Sequence, residues 1–148
     1  MASQLYSIWQ TYTDMKTKVI LFALLVVLTS CDIMIVEPVY QDRDRVIGSY
    51  QIEESSQTYN DYTRFSIFIR KSGSYDDVII ENFYNADVNI RATVVSDKIY
   101  ISRQVVDGYE IEGIGTFYGD EIQFSYKVRD TYSYNKPTDF CNATAWFN

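Results

Sequence analysis

The sequence predicts an all-β fold, an eight-stranded antiparallel meander closed into a barrel, over residues 46–148. From Val46 onward, β-branched and aromatic residues alternate with polar ones. Clusters of Gly, Asn, Asp or Ser interrupt this alternation roughly every eight to twelve residues, which is typical of an all-β sandwich or barrel. The connections are short, whereas parallel pairing needs crossovers of about a dozen residues or more, so the strands should be antiparallel.

Eight segments of the chain carry the alternation. In the second segment, apolar residues occupy alternate positions of 65–69. The fourth and seventh alternate throughout, over 88–94 and 122–128, as expected for strands with one buried face. Cys141, in the eighth, is expected to be a small residue packed within its strand. The predicted strands are 46–55, 62–71, 77–83, 88–95, 98–104, 109–118, 121–129 and 139–147.

Turn-forming residues separate these strands. The predicted hairpin turns are Ser72–Ser74, Ser96–Asp97, Asp107–Gly108 and Gly119–Asp120. Within the sixth strand, Gly113 and Gly115 lie two positions apart on the same face. Glycines at such positions allow a sharp bend or the close approach of a neighbouring aromatic side chain.

A closed barrel is favoured over a two-sheet sandwich of the same strands. Closure removes the exposed sheet edges, which matters for a small domain with no helix to cover them. A barrel of eight strands is either just filled by side chains or holds one small ligand. The large apolar-face residues Phe65, Phe124 and Tyr126 favour a filled interior.

Charge and composition exclude several kinds of function. The chain carries a net charge of −7 and has no histidine. A nucleic-acid partner would require a basic surface, so none is expected, whereas an acidic domain can attract a basic protein. Without histidine, Ser-His-Asp and Cys-His catalysis and imidazole metal sites are excluded. The sequence therefore predicts a non-enzymatic domain without metal or cofactor.

Two patterns of carboxylate and amide residues could indicate a different chemistry. Glu110 and Glu112 share a strand face, at a spacing that acid and base residues could use, but solvated charges on the outer face are the preferred interpretation. Asn85, Asp87 and Asn89 alternate as calcium ligands do. The glycine that a calcium-binding loop needs is missing, so they are interpreted as ordinary turn residues.

Tyrosine is unusually frequent, with 14 in the chain. Tyrosine gives a rigid contact surface with a polar tip at low entropic cost, so loop tyrosines are candidates for stacking on a sugar or gripping a protein. The alternative is that tyrosine simply favours antiparallel strands and the residues that flank them. The candidate binding residues are Tyr59, Tyr75, Tyr84, Tyr132 and Tyr134.

The segment from Lys16 to Cys31 resembles a bacterial lipoprotein signal peptide. Two lysines precede an apolar run at 19–28, and Thr29-Ser30 leads into Cys31, close to the lipobox pattern. The resemblance implies cleavage after residue 30 and a diacylglycerol on the Cys31 sulfur, which would anchor the chain to a membrane. The alternative is an uncleaved transmembrane anchor, which would place Asp32 within the bilayer at a cost of about 2.5 to 3.5 kcal/mol.

The resemblance divides the chain into four parts. Because Met15 can itself begin the signal peptide at 15–30, residues 1–14 are interpreted as untranslated or as an extended n-region. Residues 31–45, with Pro38 and a run of charges, are predicted to form a short extended tether. The barrel domain then occupies 46–148.

The start of the first strand, Val46-Ile47-Gly48-Ser49-Tyr50, resembles that of small bacterial lipocalin-like lipoproteins, with Tyr50 in place of their tryptophan. The resemblance implies a domain anchored by lipid in a bacterial cell envelope, in either membrane, which binds a small apolar ligand. The alternatives are an acidic interaction or inhibitor domain that docks a basic protein or a glycan through its tyrosine-rich loops, as lysozyme-inhibitor lipoproteins do, and a purely structural envelope protein.

Overall fold

The computed structural model describes residues 41–133 and 135–148, which form a closed eight-stranded antiparallel barrel. Each strand pairs with its neighbours in the sequence, and β1 also pairs with β8 from Tyr50↔Phe147 to Ser56↔Cys141. The predicted meander and its closure are confirmed, and the sandwich alternative is excluded. The strands are β1 (Gly48–Ser56), β2 (Asp61–Lys71), β3 (Asp77–Phe83), β4 (Val88–Val95), β5 (Lys98–Val106), β6 (Tyr109–Tyr118), β7 (Glu121–Asp130) and β8 (Asp139–Phe147).

Large apolar side chains fill the interior of the barrel. Phe65, Phe124 and Tyr126 are buried, as the alternation predicted. The Phe83 ring lies 6.0 Å from the Phe124 ring at an edge-to-face angle of 82° and 4.6 Å from the Tyr126 ring, measured between centroids. Cys141 is buried in β8, as expected.

Residues 42–45 do not form the extended tether that their charges predicted. Asp42–Arg45 is a 3₁₀ helix that packs against β4, and its side chains bond to residues at the end of β2 and the start of β3. Arg43 is only 9% exposed and donates to the carbonyl oxygens of Ser72 at 2.9 Å and Asp77 at 3.1 Å. The charged residues therefore serve as anchors for the start of the domain, and Val46 is buried beneath them. Within the described residues, no helix is long and apolar enough to cross a membrane.

The two glycines of β6 lie where neighbouring aromatic residues approach closely. A Cβ atom at Gly115 would lie 2.8 Å from Cε1 of Phe124. A Cβ atom at Gly113 would lie 2.6 Å from the carbonyl oxygen of Ser125 and 2.7 Å from Cα of Tyr126. The space at Gly113 is thus closed by backbone atoms of β7, which cannot rotate away.

Replacing Gly113 by alanine should lower the free energy of unfolding by about 2 kcal/mol, because an added methyl group must push β6 and β7 apart. Gly73→Ala is the matched control, since no heavy atom lies within 4 Å of its added Cβ. In urea denaturation, the free energy of unfolding of this control should stay within about 0.5 kcal/mol of the wild-type value. Equal unfolding free energies for the two variants would contradict the close packing of β6 against β7.

Candidate functional site

Four loops meet at one end of the barrel, here called the loop end. In a meander, alternate connections fall at the same end, so the described residues of the loop end are 57–60, 84–87, 107–108, 131–133 and 135–138. Three hydrogen bonds join the first of these loops to the last loop and to the start of β8. Gln57 N donates to the Phe140 carbonyl at 2.8 Å, Thr58 Oγ1 to the Thr138 carbonyl at 3.0 Å, and Tyr59 Oη to the Pro137 carbonyl at 3.3 Å.

A cavity of about 290 Å³, here called the mouth pocket, opens at the loop end. Three tyrosine rings form its walls, those of Tyr59, Tyr84 and Tyr109. The centroids of the Tyr84 and Tyr109 rings lie 6.0 Å apart in an edge-to-face arrangement. The other lining residues are Val128, Asp130, Lys136, Pro137 and Asp139.

The structure does not bring together all five tyrosines that the sequence indicated as candidate binding residues. Tyr59 and Tyr84 line the mouth pocket. Tyr132 is at the same end but 80% exposed, with its ring packed over Gly108. Tyr75 lies in the connection between β2 and β3, at the opposite end of the barrel, and is 72% exposed. Tyr134 lies outside the described residues, as does Cys31.

A buried polar cluster lies beneath the mouth pocket. Asp139 is 4% exposed and accepts hydrogen bonds from Ser56 Oγ at 2.5 Å and from the Tyr84 hydroxyl at 2.8 Å. Glu54, at 6% exposed, bonds to the Tyr126 hydroxyl. Both acidic side chains point into the barrel because they occupy inward positions of β8 and β1.

Burial dominates the electrostatics of this cluster. Loss of water, reinforced by the neighbouring charges of Asp139 and Asp61, raises the pKa of Glu54 to about 7. Burial and the hydrogen bond to Asp139 raise the pKa of Tyr84 far above its usual range, which keeps the hydroxyl a donor. Burial, together with Glu54 and Asp139, likewise raises the pKa of Cys141, so its thiol stays protonated.

At the rim of the mouth pocket, the pKa of Asp130 is lowered rather than raised. Hydrogen bonds from Ser133 and Lys136 lower the pKa of Asp130, so it is ionised at neutral pH. Lys136 Nζ lies 3.2 Å from Asp130 Oδ2. The mouth pocket therefore combines aromatic walls with an ionised carboxylate and already accommodates one ammonium group.

The other candidate residues take part in different contacts. On the outer face, Glu110 accepts from Arg103 at 2.9 Å and from Arg129 at 2.7 Å. Glu112 lies 2.7 Å from Lys127 Nζ. Each is thus held in an ion pair.

The residues weighed as calcium ligands lie in or beside the turn between β3 and β4. Asn85 and Asp87 have positive φ angles of 50° and 55°. The Asp87 N–H donates to Asn82 Oδ1 at 3.1 Å, and Asn89 is exposed on β4. Across residues 41–133 and 135–148, no three acidic or cysteine side chains lie close enough together to hold a metal ion.

No family model matches this sequence, and no curated protein matches it either.

Proposed function

We propose that this chain is a lipid-anchored binding protein of a bacterial envelope, and that its mouth pocket captures a lysine or arginine side chain of a basic protein. The observation that carries the proposal is the pocket itself, which three tyrosines line together with an ionised aspartate, Asp130. Aromatic faces attract organic cations, and a carboxylate at the rim adds a directional partner. The signal-like segment that ends at Cys31 supports the anchoring part of the proposal.

The charge of the loop end favours a cationic ligand. The loop end and the strand residues that flank it, 57–61, 84–87, 107–109 and 130–139, contain five aspartates and a single basic residue, Lys136. One of the five, Asp139, is buried. Such a concentration of one sign raises the local concentration of a basic partner and speeds its association. The Lys136 side chain is 62% exposed, so an incoming cation can take its place beside Asp130 without disturbing the barrel.

The pocket is also held ready for a ligand. Asp139 fixes the Tyr84 hydroxyl at 2.8 Å, and the Pro137 carbonyl accepts from the Tyr59 hydroxyl at 3.3 Å. Rings that are already ordered lose little entropy on binding, which leaves more of the contact energy for affinity.

A small apolar ligand inside the barrel is less well supported. The described interior is packed with side chains such as Tyr50, Phe83 and Phe124, all of them at most 2% exposed. The buried Asp139 lines the mouth pocket, so an apolar ligand entering there would meet a buried acidic group.

Asp130→Asn should weaken binding to a basic probe protein about fivefold, because the pocket loses its ionised partner while keeping its shape. Lysozyme immobilised on a biosensor surface serves as the probe, and affinity is measured at low and at physiological salt. Asp87→Asn is the matched control, since it removes the same charge from the same end of the barrel but from outside the pocket. We expect the control to change affinity less than twofold.

Two results would overturn the proposal. One is an equal loss of affinity in the two variants, which would mean that only the overall charge matters. The other is binding that Tyr84→Ala and Tyr59→Ala leave unchanged, since both rings form the pocket wall.

A further inference from the structure

We propose a second binding site, for an uncharged oligosaccharide, in a groove on the outer face of β6, β7 and β8. The groove consists of two adjoining, shallow and largely open depressions of about 520 and 510 Å³ that share Ile114, Ser125 and Asn142. It is separate from the mouth pocket, with which it has no lining residue in common. The proposal goes beyond the capture of a cation at the loop end.

The groove results from the register of small and large side chains across neighbouring strands. Ser125 of β7 pairs with Asn142 of β8, and Asn142 in turn pairs with Ser55 of β1. These short side chains form a low floor. Larger residues surround it, because Ile114 pairs with Ser125 on one side and Tyr62 pairs with Ser55 on the other.

Three aromatic side chains stand around this floor and face solvent. Tyr62 is 58% exposed, Phe140 52% and Trp146 40%. Phe140 and Trp146 are six residues apart on β8, which corresponds to about 20 Å along the strand. Tyr62 lies on β2, two strands away from β8, or about 10 Å to the side. An elongated ligand can therefore contact aromatic surface at both ends of the groove.

The chemistry of the floor selects for hydroxyl groups. Asn142 and Ser125 are exposed and present an amide and a hydroxyl to the groove, and Gln123, Thr116 and Thr144 line it as well. A pyranose ring has an apolar C–H face that packs on an aromatic ring and an edge of hydroxyls that both donate and accept. Neutral amides and hydroxyls are suitable partners for such an edge, since each can donate and accept in turn.

The charges around the groove favour a neutral ligand. Its lining contains two acidic residues, Glu53 and Glu112, and two basic ones, Arg103 and Lys127, so the formal charges cancel. These groups are also already paired, Glu112 with Lys127 at 2.7 Å and Arg103 with Glu110 at 2.9 Å, while Arg64 bonds to Glu53. An ionic ligand would have to break one of these pairs, whereas an uncharged sugar would not.

Trp146 provides a direct test, because its fluorescence reports contact at one end of the groove, and Trp146→Phe separates its signal from that of Trp9, the other tryptophan of the chain. The full-length protein, purified in detergent, is titrated with cellohexaose, maltohexaose and chitohexaose up to about 10 mM, the range of weak affinities. We expect a saturable shift of tryptophan emission with at least one of the three. Asn142→Ala should weaken that binding roughly fivefold to tenfold, the effect of one lost hydrogen-bonding side chain.

Asn89→Ala is the matched control, since Asn89 is an exposed asparagine on the outer face of β4, away from the groove. It should leave the affinity unchanged, as should Asp130→Asn in the mouth pocket. Absence of a shift with all three sugars would overturn the proposal, as would equal weakening by Asn142→Ala and Asn89→Ala. A dimer detected by analytical ultracentrifugation and abolished by Trp146→Ala would also overturn it, by making the groove an interface between two copies of the chain.

Discussion

Replacing Glu54 by glutamine should stabilise the domain at pH 8 and leave its stability nearly unchanged at pH 4.5. Burial raises the pKa of Glu54 from an ordinary value of 4.5 to about 7. Between these two values the folded protein holds a proton that the unfolded chain has released. The free energy of unfolding therefore falls as the pH rises through this window. The stability that the protonated Glu54 contributes is fully present only below about pH 4.5.

The size of the effect follows from the difference between the two pKa values, which corresponds to about 3 kcal/mol. Above pH 7 the wild-type protein must hold an ionised carboxylate next to Asp139 and Asp61 inside the barrel. Glutamine has nearly the same shape, cannot ionise, and still accepts from the Tyr126 hydroxyl. At pH 8 we expect the free energy of unfolding of Glu54→Gln to exceed that of the wild type by about 2 to 3 kcal/mol, measured by urea denaturation.

Glu53→Gln is the matched control, one residue away and on the outer face of the same strand. Hydrogen bonds from Tyr62 and Arg64 lower the pKa of Glu53. The ionised Glu53 therefore stabilises the fold at neutral pH, and this stabilisation is lost as the pH falls. This control should therefore be the less stable protein at pH 8, the opposite of Glu54→Gln. If Glu54→Gln were destabilising at pH 8, or if its effect did not vary with pH, the buried carboxylate would be well solvated and the raised pKa wrong.

The strands could be predicted from the sequence because each buries one face. The limits of β3, β4, β6 and β8 agree with the predicted ones, and those of the other strands differ by one or two residues. The start of β1 moved from Val46 to Gly48 because Val46 belongs to the segment that follows the 3₁₀ helix. The alternation of apolar and polar residues indicates which residues are buried. It does not indicate whether a buried residue at the end of a strand pairs with the neighbouring strand.

The 3₁₀ helix was not predicted because its stability comes from distant partners. A run of alternating aspartate and arginine residues usually indicates an exposed segment. Here the Arg43 guanidinium meets carbonyl oxygens about thirty residues further along the chain, and Asp44 lies 2.6 Å from Lys71. These partners lie at the end of β2, in the connection that follows it and at the start of β3, so the helix depends on packing against that hairpin.

Part of the mouth pocket could have been predicted. In a meander the first, third and seventh connections lie at one end, which groups Tyr59, Tyr84 and Tyr132 and assigns Tyr75 to the other. The alternation of β1 also places Glu54 on the same face as Tyr50 and Ile52, so its burial was visible in the sequence. The presence of Lys136 and Asp130 in the mouth pocket could not be predicted, because it depends on the path of the β7–β8 loop.

Cys31→Ser should move the protein out of the membrane fraction, the second large effect that we expect. The proposed anchor is a diacylglycerol on the Cys31 sulfur, and each buried methylene contributes about 0.8 kcal/mol to membrane binding. Serine cannot carry this thioether, so the variant would keep only the apolar run at 19–28. Ten helical residues span about 15 Å, half of the roughly 30 Å hydrocarbon core, and a longer span would include Asp32.

The measurement is the distribution of the full-length protein between membrane and soluble fractions after an alkaline wash, together with incorporation of a labelled fatty acid. Cys141→Ser is the matched control, because it makes the same change at a cysteine buried in β8 and should leave both the label and the membrane association intact. If Cys31→Ser remained in the washed membranes, the anchor would be the hydrophobic segment itself. The barrel would then be attached by a peptide that crosses the bilayer, and the proposed lipid would have no role in holding it there.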